Sequence, residues 1–221
     1  MDLVQAAVIY ASTILAKRST LRTLYYDSLN SWQESEILGK RRDALYVHRP
    51  DGSDVVRPGH EAEERYVTES STIELSVSQD AANAFVLIVD YSLERFAEEA
   101  DLDSKDCRKL GVETYGGVKL NDAIYALANH ARHLHSWRKD PKNIHAINRD
   151  TLKQLGIDPL DDHAACRFLH NVAIPSYLDL EASLIITAHE ALAGTGQQLA
   201  FTHRGVDAVP ISMPPIVPSR T

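Results

Sequence analysis

A helical period in hydrophobicity recurs through most of this 221-residue chain, and it limits the fold more than any other feature. Over residues 2–17, Leu3, Val4, Ala7, Val8, Ala11, Ile14 and Leu15 repeat at the i, i+3, i+4, i+7 spacing of a helix packed on one side. A second helix runs from about 21 to 38. It carries Leu21, Leu24, Tyr25, Leu29, Trp32 and Ile37 inward, Ser19 or Thr20 at its start and Gly39 as its stop. Residues 79–102 form a long third helix with a wide apolar band of Ala82, Phe85, Val86, Ile88, Val89, Leu93 and Phe96. Residues 119–138 form another, ended by Pro141, because a mid-helix proline loses a hydrogen bond and clashes. Short helices are expected over 149–155 and 162–171, and a last long one over 177–193 behind Pro175 and Ser176.

Strand signals are few. Leu45, Tyr46 and Val47, then Pro50-Asp51-Gly52, then Val55 and Val56 read as a small hairpin or loop insertion at about 44–60. Residues 60–65 are charged and read as solvated. Residues 72–78 are ambiguous, since Ile73, Leu75 and Val77 alternate as in a strand. Residues 103–117 read as a loop. The segment 205–221 carries four prolines and reads as an extended or disordered tail that could dock on a protein partner. The expected architecture is therefore a single all-α domain over 1–204, a bundle of five to six helices, followed by that tail.

Composition narrows the function classes. A net charge of −8 argues against indiscriminate binding to nucleic acid or anionic membrane. The N-terminal apolar run is too short to span a bilayer and lacks a basic leader, so no targeting signal is expected and the chain reads as cytoplasmic. Two distant cysteines, Cys107 and Cys166, fit reduced thiols better than a disulfide framework. Phosphate-loop, dinucleotide, zinc-protease, EF-hand and nucleophile-elbow motifs are all missing.

The helix over 119–138 carries the chemistry. Leu120, Ile124, Leu127, Ala131 and Leu134 form one stripe when residues are placed at about 100° each. On the opposite flank sit Asp122, Asn129, His130, His133 and Trp137, with Tyr125 and Arg132 just beyond. Asp, Asn and His are mediocre helix formers, so a solvated flank alone does not explain them. His130 and His133 at i, i+3 could chelate a metal, but Asp122 sits about 12 Å away along the axis and no Glu-x-x-His pair accompanies them. Neither metal nor cofactor is expected. The residue types fit RNA cleavage by the ribose 2′-OH. That reaction needs imidazoles to move protons and a fixed cation with amide donors for the phosphate. Each residue also has a structural explanation. His133 would stack on Trp137 one turn away, Arg138 would meet the negative end of the helix dipole, and Arg132 would pair with a carboxylate.

The segment 138–145 (RKDPKNIH) places Arg138 and His145 with six residues between them, and Asn129-His130-Ala131-Arg132-His133 lies just upstream. These motifs, with the helical architecture, resemble HEPN domains over about residues 70–150. Members carry an Arg and a His separated by four to six residues, often with Asn after the Arg; here Lys139 takes that place. The resemblance implies a metal-independent endoribonuclease or a relative of one, in a toxin or antiviral defence setting, active as a dimer. It assigns catalysis to Arg132, His133, Arg138 and His145, and substrate binding to Asn129, His130 and Trp137. The alternative is a non-catalytic helical module that binds a protein partner through its tail.

Overall fold

The structure, a computed structural model, describes residues 1–172, 176–193, 195, 197–201 and 208–212. Among them it is all-α, with eight helices: α1 (Leu3–Ala16), α2 (Arg18–Asp43), α3 (Glu61–Glu99), α4 (Ser104–Arg108), α5 (Leu120–Lys139), α6 (Ala146–Gln154), α7 (Ala164–Asn171) and α8 (Tyr177–Ala191). Two antiparallel hairpins accompany them: β1 (Tyr46–His48) with β2 (Asp54–Val56), and β3 (Gln197–Phe201) with β4 (Ala208–Ser212). None of these helices is long and apolar enough to cross a membrane.

Helix α3 is the axis of the fold. It packs along α2 for most of its length and also meets α1, α5 and α7. Phe85, Val86, Val89 and Phe96 are buried along it, against Tyr10, Ile14, Tyr25, Leu120, Ile124 and Leu127. The outer part of the α2–α3 pair uses serines in place of apolar side chains. Ser78 Oγ donates to the Ser28 carbonyl at 2.8 Å, and Ser71 Oγ donates to the Ser35 carbonyl at 3.2 Å. Small side chains that bond the facing backbone let the two helices run close together while satisfying their own hydroxyls.

Several expectations need correction. The third helix starts at Glu61, so residues 61–65, solvated as expected, and 72–78 are helical. Ile73 and Val77, one turn apart, both lie on its outer face and are exposed, which removes the burial a strand alternation would require. Gly39 does not stop α2, which continues to Asp43, and Lys17 rather than Ser19 or Thr20 precedes it. Ile37 is exposed, and Ser28 and Ser35 take the inward positions. The loop over 103–117 contains α4, whose first turn is capped by the Asp103 carboxylate accepting from Lys105 N at 2.7 Å. Within the expected tail, Ala208–Ser212 is extended but hydrogen-bonded to Gln197–Phe201, beside α1. Residues 205–207 and 213–221, the rest of the tail that could dock on a partner, lie outside the described residues.

Candidate functional site

Helix α5 is two things in sequence. Its first half is encased: Leu120, Asn121, Ala123, Ile124, Ala126, Leu127 and Ala128 are all buried. Its second half emerges from the core, so Arg132, His133, His135 and Ser136 are exposed while Trp137 is covered again. Beyond it, the Asp140 carboxylate accepts from Lys142 N and caps the tight turn Pro141–Asn143. Ile144 is buried and anchors the chain, and Arg149 Nη2 donates to its carbonyl at 3.1 Å. His145 then stands at the N-terminus of α6. The far end of α6 is braced by Gly116, whose φ of +75° and close approach admit no side chain; a Cβ there would lie 2.3 Å from the Gln154 carbonyl oxygen.

These elements enclose a recess of about 650 Å³ between α4, α5 and α6. Four of the seven sequence-selected residues line it: Asn129, His133, Trp137 and His145. The His133 and Trp137 rings stack at 6.4 Å with planes 27° apart, while His130 meets the same indole edge-on at 5.8 Å. Asn129 Nδ2 donates to the Tyr125 carbonyl at 3.0 Å, which fixes the amide and keeps its carbonyl oxygen as an acceptor.

The other three do not line the recess. His130 is buried, with Nε2 lacking a hydrogen-bond partner, and burial pulls its pKa below the usual histidine range against the opposing pull of Asp161. Arg132 Nη1 pairs with Asp90 Oδ2 at 2.7 Å. Arg138 pairs with Asp162 at 2.5 Å and donates to the Leu160 carbonyl at 3.3 Å. Arg138 and His145, spaced as a pair in sequence, therefore have different surroundings.

Sequence reasoning missed the recess's cations. Lys105 and Arg108 of α4 line it, with Ser104, Tyr125, Ser136, Asn143, Ile147 and Asn148. The Arg108 guanidinium lies 4.3 Å from the Tyr125 ring centroid, a cation–π contact. Its Nε donates to the Ser104 carbonyl at 3.3 Å and lies 3.9 Å from Asp122. Its Nη1 is buried with no hydrogen-bond partner. On the other wall Asn148 is 5% exposed, and its Oδ1 is likewise unpartnered. The Asp103 cap ahead of Lys105 and Arg108 was the one local signal for α4. Nothing in the one-dimensional pattern joins α4 to Asn129 or His145.

The charge of the lining is one-sided. Acidic residues outnumber basic ones in the chain, 31 to 23, yet no carboxylate lines this recess. His145 does not cap α6 with its side chain, so the positive end of that helix borders the same space. Orphaned buried polar atoms cost about 1–3 kcal/mol each unless a ligand or water meets them, and here one is a donor and one an acceptor. The arrangement is chemically suited to an anion that also carries a hydroxyl. Among the described residues no three His, Cys, Asp or Glu side chains gather as a metal-ligand set. Set against family models, curated proteins and solved structures, the chain gives no match.

Proposed function

We propose that the protein is a HEPN-like endoribonuclease that cleaves RNA without a metal, with the recess between α4, α5 and α6 as its active site. The observation that carries this reading is the recess lining: two imidazoles, Lys105, Arg108 and neutral amides, with no carboxylate among them. A phosphodiester fits such a lining, because cations and uncapped N–H groups favour negative charge and a carboxylate would repel it.

In the proposed reaction the ribose 2′-oxygen attacks the adjacent phosphorus, and the bond from phosphorus to the 5′-oxygen breaks. A 2′,3′-cyclic phosphate and a 5′-hydroxyl result. One of His133 and His145 takes the 2′-hydroxyl proton, and the other gives a proton to the departing 5′-oxygen. Arg108 and Lys105 neutralise the charge that grows on the non-bridging oxygens. The unpartnered Asn148 Oδ1 suits the 2′-hydroxyl as a hydrogen-bond acceptor, which favours ribose over deoxyribose. Trp137 holds the His133 ring, and His130 backs Trp137. The Arg roles first assigned to Arg132 and Arg138 pass to Arg108, since both of the former pair closely with carboxylates, whereas Arg108 meets Asp122 only at 3.9 Å and keeps Nη1 unpartnered.

The test is cleavage of a single-stranded oligoribonucleotide in EDTA by the full chain. Cleavage that ends in a 2′,3′-cyclic phosphate, and that is lost in His133→Ala and His145→Ala, is the expected result. Intact RNA after prolonged incubation with the folded wild type would overturn the proposal.

A further inference from the structure

The recess has a neighbour. A second cavity of about 200 Å³ lies between α3, α4 and α5. Ser104, Arg108 and Tyr125 line both, so the Arg108–Tyr125 stack is a shared partition. The two chambers differ in chemistry. The recess is cationic. The smaller chamber has apolar walls from Leu93, Ala97 and Cys107, and two carboxylates, Asp90 and Glu94, from α3. Cys107 is buried, and burial pushes its thiol up to about 11, so it contributes an uncharged wall and not a nucleophile.

A flat ring edged with N–H donors matches this chamber. Single-stranded RNA is read by unstacking a base, stacking it on an aromatic or guanidinium plane, and hydrogen-bonding its edge. The partition supplies both planes together. Asp90 is the group placed for an edge contact: it lines the chamber, its side chain is only 2% exposed, and its Oδ2, 2.7 Å from Arg132, has no aligned hydrogen bond. A buried carboxylate held by one ion pair retains lone pairs for further N–H donors.

We infer that the smaller chamber takes the nucleobase next to the phosphate held in the recess, and that it selects guanine, whose adjacent imino and amino N–H groups meet one carboxylate together. Uracil offers a carbonyl where guanine offers its amino group, and Asp90 and Glu94 repel it. The inference rests on the recess being a ribose-phosphate site.

The experiment is calorimetric titration of the full chain with 3′-GMP, 3′-UMP and inorganic phosphate. Binding of 3′-GMP about tenfold tighter than 3′-UMP is expected, from the discrimination a bidentate side-chain contact provides. Asp90→Asn, nearly isosteric, should erase that preference and leave inorganic phosphate binding unchanged. Glu94→Gln, on the exposed side of α3, is the companion variant and should halve the preference or more if Asp90→Asn does not fold. Equal binding of the two nucleotides by the wild type, or a preference that survives in the folded variants, overturns the inference and leaves the recess reading intact. Failure of both nucleotides and of phosphate to bind overturns the two together.

Discussion

Two concavities of similar size mark separate regions of this molecule, and they differ in how their polar groups are spent. The hollow at the β1–β2 hairpin, about 530 Å³, is lined by Arg42, Asp43, Tyr46, His48, Asp54, Glu64 and Thr68. Its groups satisfy one another. His48 Nδ1 sits 2.9 Å from Asp54 Oδ1, the Tyr46 and Thr68 hydroxyls each donate to Glu64 at 2.9 Å, and Arg42 pairs with Asp43 at 2.9 Å. The recess at α4, α5 and α6 holds two histidines and two cations with no carboxylate in its lining, and leaves Arg108 Nη1 and Asn148 Oδ1 unpartnered. Cavity volume does not separate the hollow from the candidate site. Unbalanced charge and unanswered hydrogen-bond capacity do.

The largest effect expected from this contrast is on catalysis. His133→Ala or His145→Ala should lower the RNA cleavage rate by about 10²-fold or more, the usual worth of a positioned proton-transfer group. His48→Ala, in the self-paired hollow, should leave the rate unchanged. A drop of similar size with His48→Ala would erase the distinction between the two regions. Next in size is Arg108→Ala, which should weaken inorganic phosphate binding about tenfold or more by calorimetry, with Arg108→Lys restoring part of it. Full-strength binding in Arg108→Ala would show that the buried guanidinium serves Tyr125 alone.

Stability should follow the same division. Gly116 and Gly52 both have positive φ, +75° and +85°. A Cβ at Gly116 collides with the α6 backbone, whereas one at Gly52 meets nothing within 4 Å. Gly116→Ala should therefore cost about 2–3 kcal/mol, and Gly52→Ala only the backbone term of about 1 kcal/mol. By thermal unfolding, each kcal/mol lowers Tm by about 2–4 °C for a domain of this size. Equal losses would mean that the turn bracing α6 yields as freely as the hairpin tip.

The most gradual effect is a slope with pH. Burial pushes the Asp90 carboxyl up to about 6, against the opposing attraction of Arg132. The folded chain then holds a proton that the unfolded chain has released. That contribution is fully present below the ordinary carboxylate value of 3.8 and is lost as pH rises through about 6. The change across that range is on the order of 3 kcal/mol. Asp90→Asn should flatten the dependence of Tm on pH between about 4 and 6, and an unaltered slope would place the responsible group elsewhere.

Much of the fold was legible in the pattern of residues because helices repeat one local geometry. The first half of the α5 stripe (Leu120, Ile124 and Leu127, though not Ala131 and Leu134, which are only half-buried), its end before Pro141, the Ser176 cap of α8 and the β1–β2 hairpin all follow from neighbours within a few positions in the chain. The stacking of His133 on Trp137 belongs to the same class, being one turn of one helix. Alternation over 72–78 misled because Ile73 and Val77 are outward residues of a helix whose inward positions there are serines, a choice that only the facing serines of α2 explain.

What the sequence alone determined, then, was the helical class and the flank of α5 that carries Asn129, His133 and Trp137. Which arginine can meet an anion was decided by tertiary structure. Arg132 finds Asp90 on α3, Arg138 finds Asp162, and Arg108 arrives from a short helix that the pattern reads as loop, with a guanidinium nitrogen still unmatched. The physical reason is that periodicity specifies the direction of a side chain about its own axis, whereas its partner is set by elements tens of residues away whose approach depends on the packing of the whole core.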